Sequence, residues 1–317
     1  MILALRALGV GDLVTATPAL RALRAAYPDR ELVLAAPGWL APLLDLVGGV
    51  DRLVPTDGLG SPAPTPPAPH AAVNLHGRGP ESHRLLAGTR PGRLLAYANP
   101  EAGHHDGPSW RADEHEVDRW CRLLDWYGIS ADRTDLDLRR PAPGGVPTGA
   151  TVLHPGAKVP AKRWPPGRFA ALARELAARG HRVVLTGSRD ERATARRIAA
   201  DAGLPPDAVL AGRTDLGRLA ALVAYARLVV SGDTGVAHLA TGYRTPSVVL
   251  FGPVSPALWG PPPGRSEHRA LWRGEQDWPR WDGVGSHPTL AAVGVDEVMA
   301  AVDDVERTVR VSGAAAT

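Results

Sequence analysis

Apolar residues along this chain fall into short continuous runs separated by segments with helical spacing, a pattern that predicts repeated βαβ units. Ile2–Leu8, Glu31–Ala35, Arg52–Val54, Ala72–Leu75 and Leu94–Tyr97 read as strands of one parallel sheet. Helical candidates lie between and after them: Ala19–Ala26, Trp39–Leu46, and Glu114–Tyr127 with Val117, Trp120, Leu124 and Tyr127 at spacings of three and four. The stretch RRPAPGGVPTGA, Arg139 to Ala150, has the composition of an interdomain linker, and after it the alternation restarts. Thr151–His154, Arg182–Thr186, Val209–Ala211, Leu228–Ser231 and Ser247–Phe251 read as strands. Pro166–Arg179, Glu191–Ala202, Leu216–Ala226, a segment from about Gly235 and a closing one near Asp296–Thr308 read as helices. The expected organisation is a first α/β domain over 1–140, a linker over 141–150, a second over 151–295, a helix over 296–310 and a frayed tail over 311–317. Two open sheets facing each other would hold a ligand at their carboxyl ends, across a cleft.

Composition narrows the class. With 44% hydrophobic and 22% charged residues the 317-residue chain reads as a soluble globular protein. Its single cysteine, Cys121, allows no intrachain disulfide and points to a reducing, cytoplasmic setting. No apolar run approaches a membrane span, and no leader pattern opens the chain. A net charge of +3 without a Lys/Arg block argues against nucleic acid. The cations are uneven in kind. Of 36 Lys and Arg residues only two are lysine, Lys158 and Lys162, within five residues of each other in a loop. A compact ammonium retained twice in one place suggests a chemical requirement there, against the plainer reading of solvated loop lysines.

Three segments carry the candidate chemistry. GVGDLVTATP, Gly9 to Pro18, follows the first strand as a dinucleotide turn does, but Val14 stands where the fingerprint needs its third glycine and Asp12 would repel a pyrophosphate. Thr17-Pro18 reads as N-cap and N1, which leaves Asp12 in the preceding loop. Its carboxylate is either a helix cap or a base at the tip of strand one. LHPGAKVPAKRWP, Leu153 to Pro165, places both lysines at the carboxyl end of the second domain's first strand, where an ammonium suits a diphosphate. LVVSGDTGVAHLATG, Leu228 to Gly242, runs from a buried strand into a helix whose N-terminus, with Thr234, suits an anion; here Asp233 reads as a cap or a site residue and His238 as core or site. The nucleophile-elbow and aspartyl-phosphate patterns both fail in it. His104-His105-Asp106 is too loose for a metal cluster, and no Cys/His spacing supports zinc. Trp259, Trp272, Trp278 and Trp281 read as core cover rather than sugar-stacking platforms.

Together GVGDLVTATPALRALRAAYP, HPGA with KRWP, SGDTGVAHLATGYRTPSVVLFGPVSPALWGPP and HPTLAAVGVDEVMAAV resemble glycosyltransferase family 9, the heptosyltransferase family, over nearly the whole chain and in the family's order. The resemblance implies a GT-B fold of two Rossmann-like domains, acceptor on the first and nucleotide-sugar donor, ADP-linked, on the second. It implies an inverting transfer without metal or other cofactor, to a glycan or small-molecule hydroxyl. A lipid-linked acceptor would bring the protein to the inner membrane face. Carried over by position, Asp12 is the general base and Lys162 stabilises the departing diphosphate. Asp233, Thr234, Gly235 and His238 line the donor site, joined by Gly11, Ala157 and Lys158, with Glu191 and Thr214 near the nucleoside. The chain departs from the family at Ala157-Lys158, where Ser/Thr is common, and in the acceptor half at the Pro-rich Ser61–His70 and at Asn99–Asp113. Two other readings use the same motifs: a GT-B-like sugar-nucleotide epimerase or hydrolase, and a nucleotide-sugar-binding protein without turnover.

Overall fold

The computed structural model describes residues 1–60, 68–274 and 285–314, with side chains as far as Val311. Residues 61–67 of the Pro-rich stretch, Trp278, Trp281 and the last residues of the expected tail lie outside the described residues. The chain divides into two compact units, Met1–Arg139 and Arg140–Thr317.

In the first unit five parallel strands, β1 Ile2–Leu5, β2 Leu32–Ala36, β3 Arg52–Pro55, β4 Ala71–Asn74 and β5 Leu94–Leu95, lie in the order β3-β2-β1-β4-β5. β1, β2 and β4 are buried at every position, as strands covered on both faces must be, and that is why they appear in the sequence as unbroken apolar runs. The helices are α1 Val10–Thr15, α2 Thr17–Ala26, α3 Ala41–Val47, α4 Glu81–Ala87 and α5 Glu116–Trp126. α5 buries Val117, Trp120 and Leu124, as its spacing predicts, and Gly128 beyond it takes φ of 79°, the left-handed position that ends many helices.

α1 corrects the sequence reading. The chain turns helical at Val10, before Thr17-Pro18, so Asp12 lies in the first turn of a helix rather than in a loop. α2 follows at once, with Ala16 as its cap.

The second unit repeats the scheme with β6 Thr151–His154, β7 Val183–Leu185, β8 Leu228–Gly232, β9 Ser247–Phe251 and β10 His268–Trp272, in the order β10-β9-β8-β6-β7. The expected strand Val209–Ala211 contributes one parallel bridge, Val209 to Leu185, beyond β7. Counting that edge, the order is the Rossmann 3-2-1-4-5-6. β10 was not foreseen, because its HRALW mixes charge with apolar residues and only His268 in it is buried. The helices are α6 Pro166–Ala178, α7 Arg192–Ala202, α8 Leu216–Ala224, α9 Gly235–Tyr243, the short α10 Pro256–Trp259 and α11 Pro288–Ala291, and α12 Val295–Ala314, which runs past the expected end at 310. α6 buries Phe169, Leu172, Ala173 and Leu176, and Trp164 packs edge-on to Phe169 at 5.0 Å. Residues 141–150 are fastened to this unit, with the Tyr225 hydroxyl donating to Pro141 O at 2.9 Å and Gly149 N to Tyr225 O at 2.8 Å.

Burial, reinforced by Arg265, Arg244 and Arg269, pushes the His268 imidazole from 6.5 down to about 4. Between those values the unfolded chain binds a proton that the folded chain refuses, so stability is whole above pH 6.5 and falls as pH drops toward 4. The full difference is on the order of 3 kcal/mol. Urea midpoints of a His268→Gln variant should therefore change less across that window than those of the parent; equal slopes would exclude His268 as the source.

Candidate active site

Each unit gathers its candidate residues where its strand order reverses, at the carboxyl ends of the two central strands, the place where open α/β sheets bind ligands. In the first unit that place lies between β1 and β4. Arg6, directly after β1, is fully buried. Its Nε donates to Asp12 O at 2.8 Å and its Nη1 donates to Leu75 O, so the guanidinium is fixed in plane and position. Asp12 turns back on the start of α1, where its Oδ2 accepts the Gly9 N–H at 3.0 Å. Its Oδ1 stands 3.5 Å from Arg6 Nη2, and 27% of the side chain remains open to solvent. The N-cap of α1 is Gly9, which corrects the capping alternative for Asp12: from the N3 position its carboxylate reaches back to the Gly9 N–H and still stays accessible. Gly11 lies in the same turn, its backbone carbonyl accepting from the Thr15 hydroxyl at 3.0 Å.

Two neighbours of Asp12 escaped the sequence reading. Glu116, at the start of α5, meets Arg6 Nη2 at 2.8 Å, pairs with Arg119 and accepts the Trp120 indole N–H at 2.8 Å. Burial alone would raise its carboxyl, but Arg6, Arg119 and the indole hold it below the ordinary carboxylate range. His76 follows β4, and the Asn74 side chain pins its backbone N–H at 3.0 Å. Burial and then Arg6 push its imidazole below the usual value, against a weaker opposite pull from Asp12, so it is neutral at pH 7. A cation ending an apolar strand was the one visible signal for this cluster.

In the second unit the reversal lies between β6 and β8. The chain after β6 passes Ala157, which is buried, and Lys158, which is exposed, then makes a single 3₁₀ turn at Pro160–Lys162. That turn packs against the end of β8 so closely that a Cβ on Gly232 would lie 2.8 Å from Lys162 O. Only glycine allows the approach, and its result is an ion pair: Lys162 Nζ donates to Asp233 Oδ2 at 2.6 Å. The Asp233 side chain is 5% exposed and that of Lys162 28%, so the ammonium keeps an open side. The cap of α9 is Thr234, not Asp233, which corrects the capping alternative for that aspartate. Thr234 Oγ1 is buried with no hydrogen-bond partner among the described residues, as is Ser231 Oγ near the end of β8. At the start of α9 the Gly235 and Val236 N–H groups precede any intrahelical acceptor, while Ala237 N donates back to Thr234 O at 3.0 Å. His238, one turn on, is buried with Nε2 3.8 Å from Asp233 Oδ1 and its ring 5.8 Å from that of Trp259. Trp259 and Trp272 pack on Ala237, Val249 and Phe251, half-buried.

Glu191 and Thr214 occupy the flank of this turn. The Glu191 carboxylate accepts Ser188 N–H at 2.7 Å and lies over Gly156, where a Cβ would come within 2.2 Å of its carboxyl carbon. The loop holding Thr214 is tied beside it by Gly212 N donating to Gly187 O at 2.9 Å. The structure therefore brings Lys162, Asp233, Thr234, Gly235 and His238 together around one helix start, with Glu191 alongside. Lys158 projects from the loop, and Ala157 is engaged through its carbonyl by Arg163 Nε at 2.8 Å. His104, by contrast, is occupied with Tyr127 Oη at 3.2 Å, and no cluster of metal-ligating side chains occurs among the described residues.

Comparison with known proteins decides the family. The model of glycosyltransferase family 9 (heptosyltransferase) matches residues 111–280, more than half of the chain. The chain belongs to glycosyltransferase family 9. This family-9 chain is 27% identical over 297 residues to lipopolysaccharide heptosyltransferase 2 of Escherichia coli K12, covering 80% of itself and 82% of that protein. Its structure is similar to that of the E. coli ADP-heptose lipopolysaccharide heptosyltransferase II, with a TM-score of 0.78, 23% identity and coverage of 98% and 99% of the two chains. It is similar also to the E. coli heptosyltransferase WaaC with ADP, with a TM-score of 0.69, 18% identity and coverage of 96% and 99%. The family-9 chain is thus a glycosyltransferase whose two parallel-sheet α/β units have the GT-B fold. No helix among its described residues is long and apolar enough to cross a membrane.

Proposed function

We propose that this glycosyltransferase moves a sugar, heptose or a close relative, from an ADP-linked donor to a hydroxyl of a glycan or metabolite, inverting the anomeric centre and using no metal. The observation that supports this most is the pairing of roles between the two units. One presents an accessible, hydrogen-bonded carboxylate at its strand reversal; the other presents an ammonium and a helix N-terminus at its own. Asp12 takes the proton of the acceptor hydroxyl as the oxygen attacks the anomeric carbon from the face opposite the diphosphate. The bond from that carbon to the diphosphate oxygen breaks, and its electron pair leaves with the nucleotide. Lys162, the α9 amides and the unpaired Thr234 hydroxyl receive that charge, which is the part a divalent cation would otherwise play. Gly235 lets the diphosphate approach the helix start, with Lys158 on the loop beside it, and Glu191 and Thr214 bound the nucleoside side. ADP as the leaving group follows the named donors of the similar proteins, and the cytoplasm is the setting this reading keeps.

Thermal melting with ADP, UDP, GDP, CDP and dTDP, each in EDTA and then Mg²⁺, tests the donor half. A ligand at about 100 times its Kd adds about 2.7 kcal/mol to the bound state. At about 2–4 °C per kcal/mol for a chain of this size, ADP should raise the midpoint by several degrees whether or not Mg²⁺ is present. A shift confined to another nucleotide would replace the donor base. A shift seen only with Mg²⁺ would overturn the metal-free reading.

A further inference from the structure

We propose that a groove on the second unit, between α7 and the edge segment at Val209, binds a small phosphate monoester with an apolar body. The groove holds about 550 Å³, within the roughly 300–1,000 Å³ of small-molecule sites. Ala199, Leu204 and Val209 give it an apolar lining, and all three belong to the core of this unit or pack on it. Arg192, Arg196 and Arg213 stand around that lining. None of the residues given a part in sugar transfer lines the groove.

The three arginines are placed at a cost that nothing among the described residues offsets. Arg192 is the first residue of α7, where the helix dipole disfavours a cation, and the first turn holds no acidic residue. Arg196 stands one turn on, so two like charges share a helix face at the i,i+4 spacing, which is destabilising. Elsewhere on this unit Arg179, Arg227 and Arg269 each pair with a carboxylate. Among the described residues Arg192, Arg196 and Arg213 have no such partner. The carboxylate in the lining, Asp207, is exposed and pairs with none of them, and the Glu191 carboxylate is turned to the Ser188 N–H at 2.7 Å. Arg192 Nε is buried without a hydrogen-bond partner, a donor removed from water that a ligand oxygen would satisfy. Three cations and one carboxylate leave the lining with a net charge of +2. A phosphate monoester, close to a dianion at pH 7, neutralises that charge, and its oxygens match the planar guanidinium forks. An inorganic ion would meet the arginines and leave the apolar lining uncovered.

Calorimetric titration of the full-length protein with phenyl phosphate, inorganic phosphate and benzoate tests this. Phenyl phosphate should bind, inorganic phosphate about tenfold more weakly for want of the ring, and benzoate about tenfold more weakly for want of the second charge. Arg196→Gln should weaken phenyl phosphate about tenfold, the loss of one charge-assisted contact. Because the unliganded arginines repel one another, the melting temperature of Arg196→Gln without ligand should hold or rise, which the loss of a structural arginine does not produce. Phenyl phosphate has a second place to go, the diphosphate site of the proposed function, so the titrations are repeated on Lys162→Met and in excess ADP. Binding that survives both and weakens in Arg196→Gln is the expected result. Binding that is lost in Lys162→Met or displaced by ADP, and unchanged in Arg196→Gln, overturns the groove while leaving the donor reading in place. Absence of binding overturns it as well, and benzoate as tight as phenyl phosphate overturns the phosphate class.

Discussion

Asp12→Asn should leave sugar transfer slower by about 10²–10⁴-fold, the range that a positioned general base contributes, while the protein stays folded. Asparagine keeps a side-chain oxygen, so the Gly9 N–H that Asp12 accepts at 3.0 Å retains an acceptor and α1 retains its start. The lost attraction to Arg6 is modest, since the carboxylate is 27% exposed and Arg6 keeps Glu116 at 2.8 Å. The melting temperature should therefore move by no more than a few degrees, and nucleoside diphosphate binding, which the proposed function assigns to the other unit, should not change. Initial rates of nucleotide release, acceptor present and absent, measure the effect. Turnover within tenfold of the parent would remove Asp12 from the role of base and leave it the acceptor of the Gly9 N–H.

Lys162→Met should lower both transfer and stability, and the two losses should separate. On the proposed function the ammonium meets the departing diphosphate, and removing such a donor typically costs about 10²–10³ in rate. It is also the cation that keeps Asp233, only 5% exposed, from being a lone buried carboxylate. Breaking a buried pair from one side is more costly than never having it; with Lys162 partly open, about 1–3 kcal/mol is expected. A Lys162→Met/Asp233→Asn double variant removes both charges and should regain most of the melting temperature. Transfer should remain down by about 10²-fold relative to Asp233→Asn alone. If the double variant matches Asp233→Asn in rate, Lys162 acts only as a counter-ion and another group meets the diphosphate.

The parts of this fold that were legible are those whose cause is local or strictly periodic. β1, β4, β8 and β9 are buried on both faces, and burial on both faces writes itself as a continuous apolar run. Asp233, Thr234 and His238 could be singled out because they stand in the turn and first helix after a buried strand, where side chains become available to a ligand, and Lys162 because lysine is so rare in the chain. Two kinds of feature stayed hidden. α1 is a single short helix beginning among glycines, and Thr17-Pro18, a sound start signal for α2, concealed it; helix ends placed back to back defeat a reading that expects a loop between them. The partnership of Arg6 with Glu116 joins residues 110 apart in sequence, and no spacing rule reaches that far. Glu116 sits amid DEHEVDRW, where acidic residues in a helix's first turn have the ordinary purpose of meeting the dipole. Only the tertiary fold shows that this one is turned inward, and it was the buried polar contact, not the catalytic candidate, that needed three dimensions.

The chain's side-chain amines stand at only two positions, and the structure treats them differently: Lys162 is engaged with Asp233, whereas Lys158 projects into solvent from the same loop. Of the two lysines, reagents that acylate amines will therefore favour Lys158. A fluorophore delivered this way would report on the loop that, on the proposed function, borders the nucleotide. An amine-coupled sensor surface would tether many molecules through that loop and obstruct the ligand meant to be detected. Attachment through the far end of α12 avoids the obstruction, and the amine route is better kept for a probe whose signal is meant to change when that loop is covered.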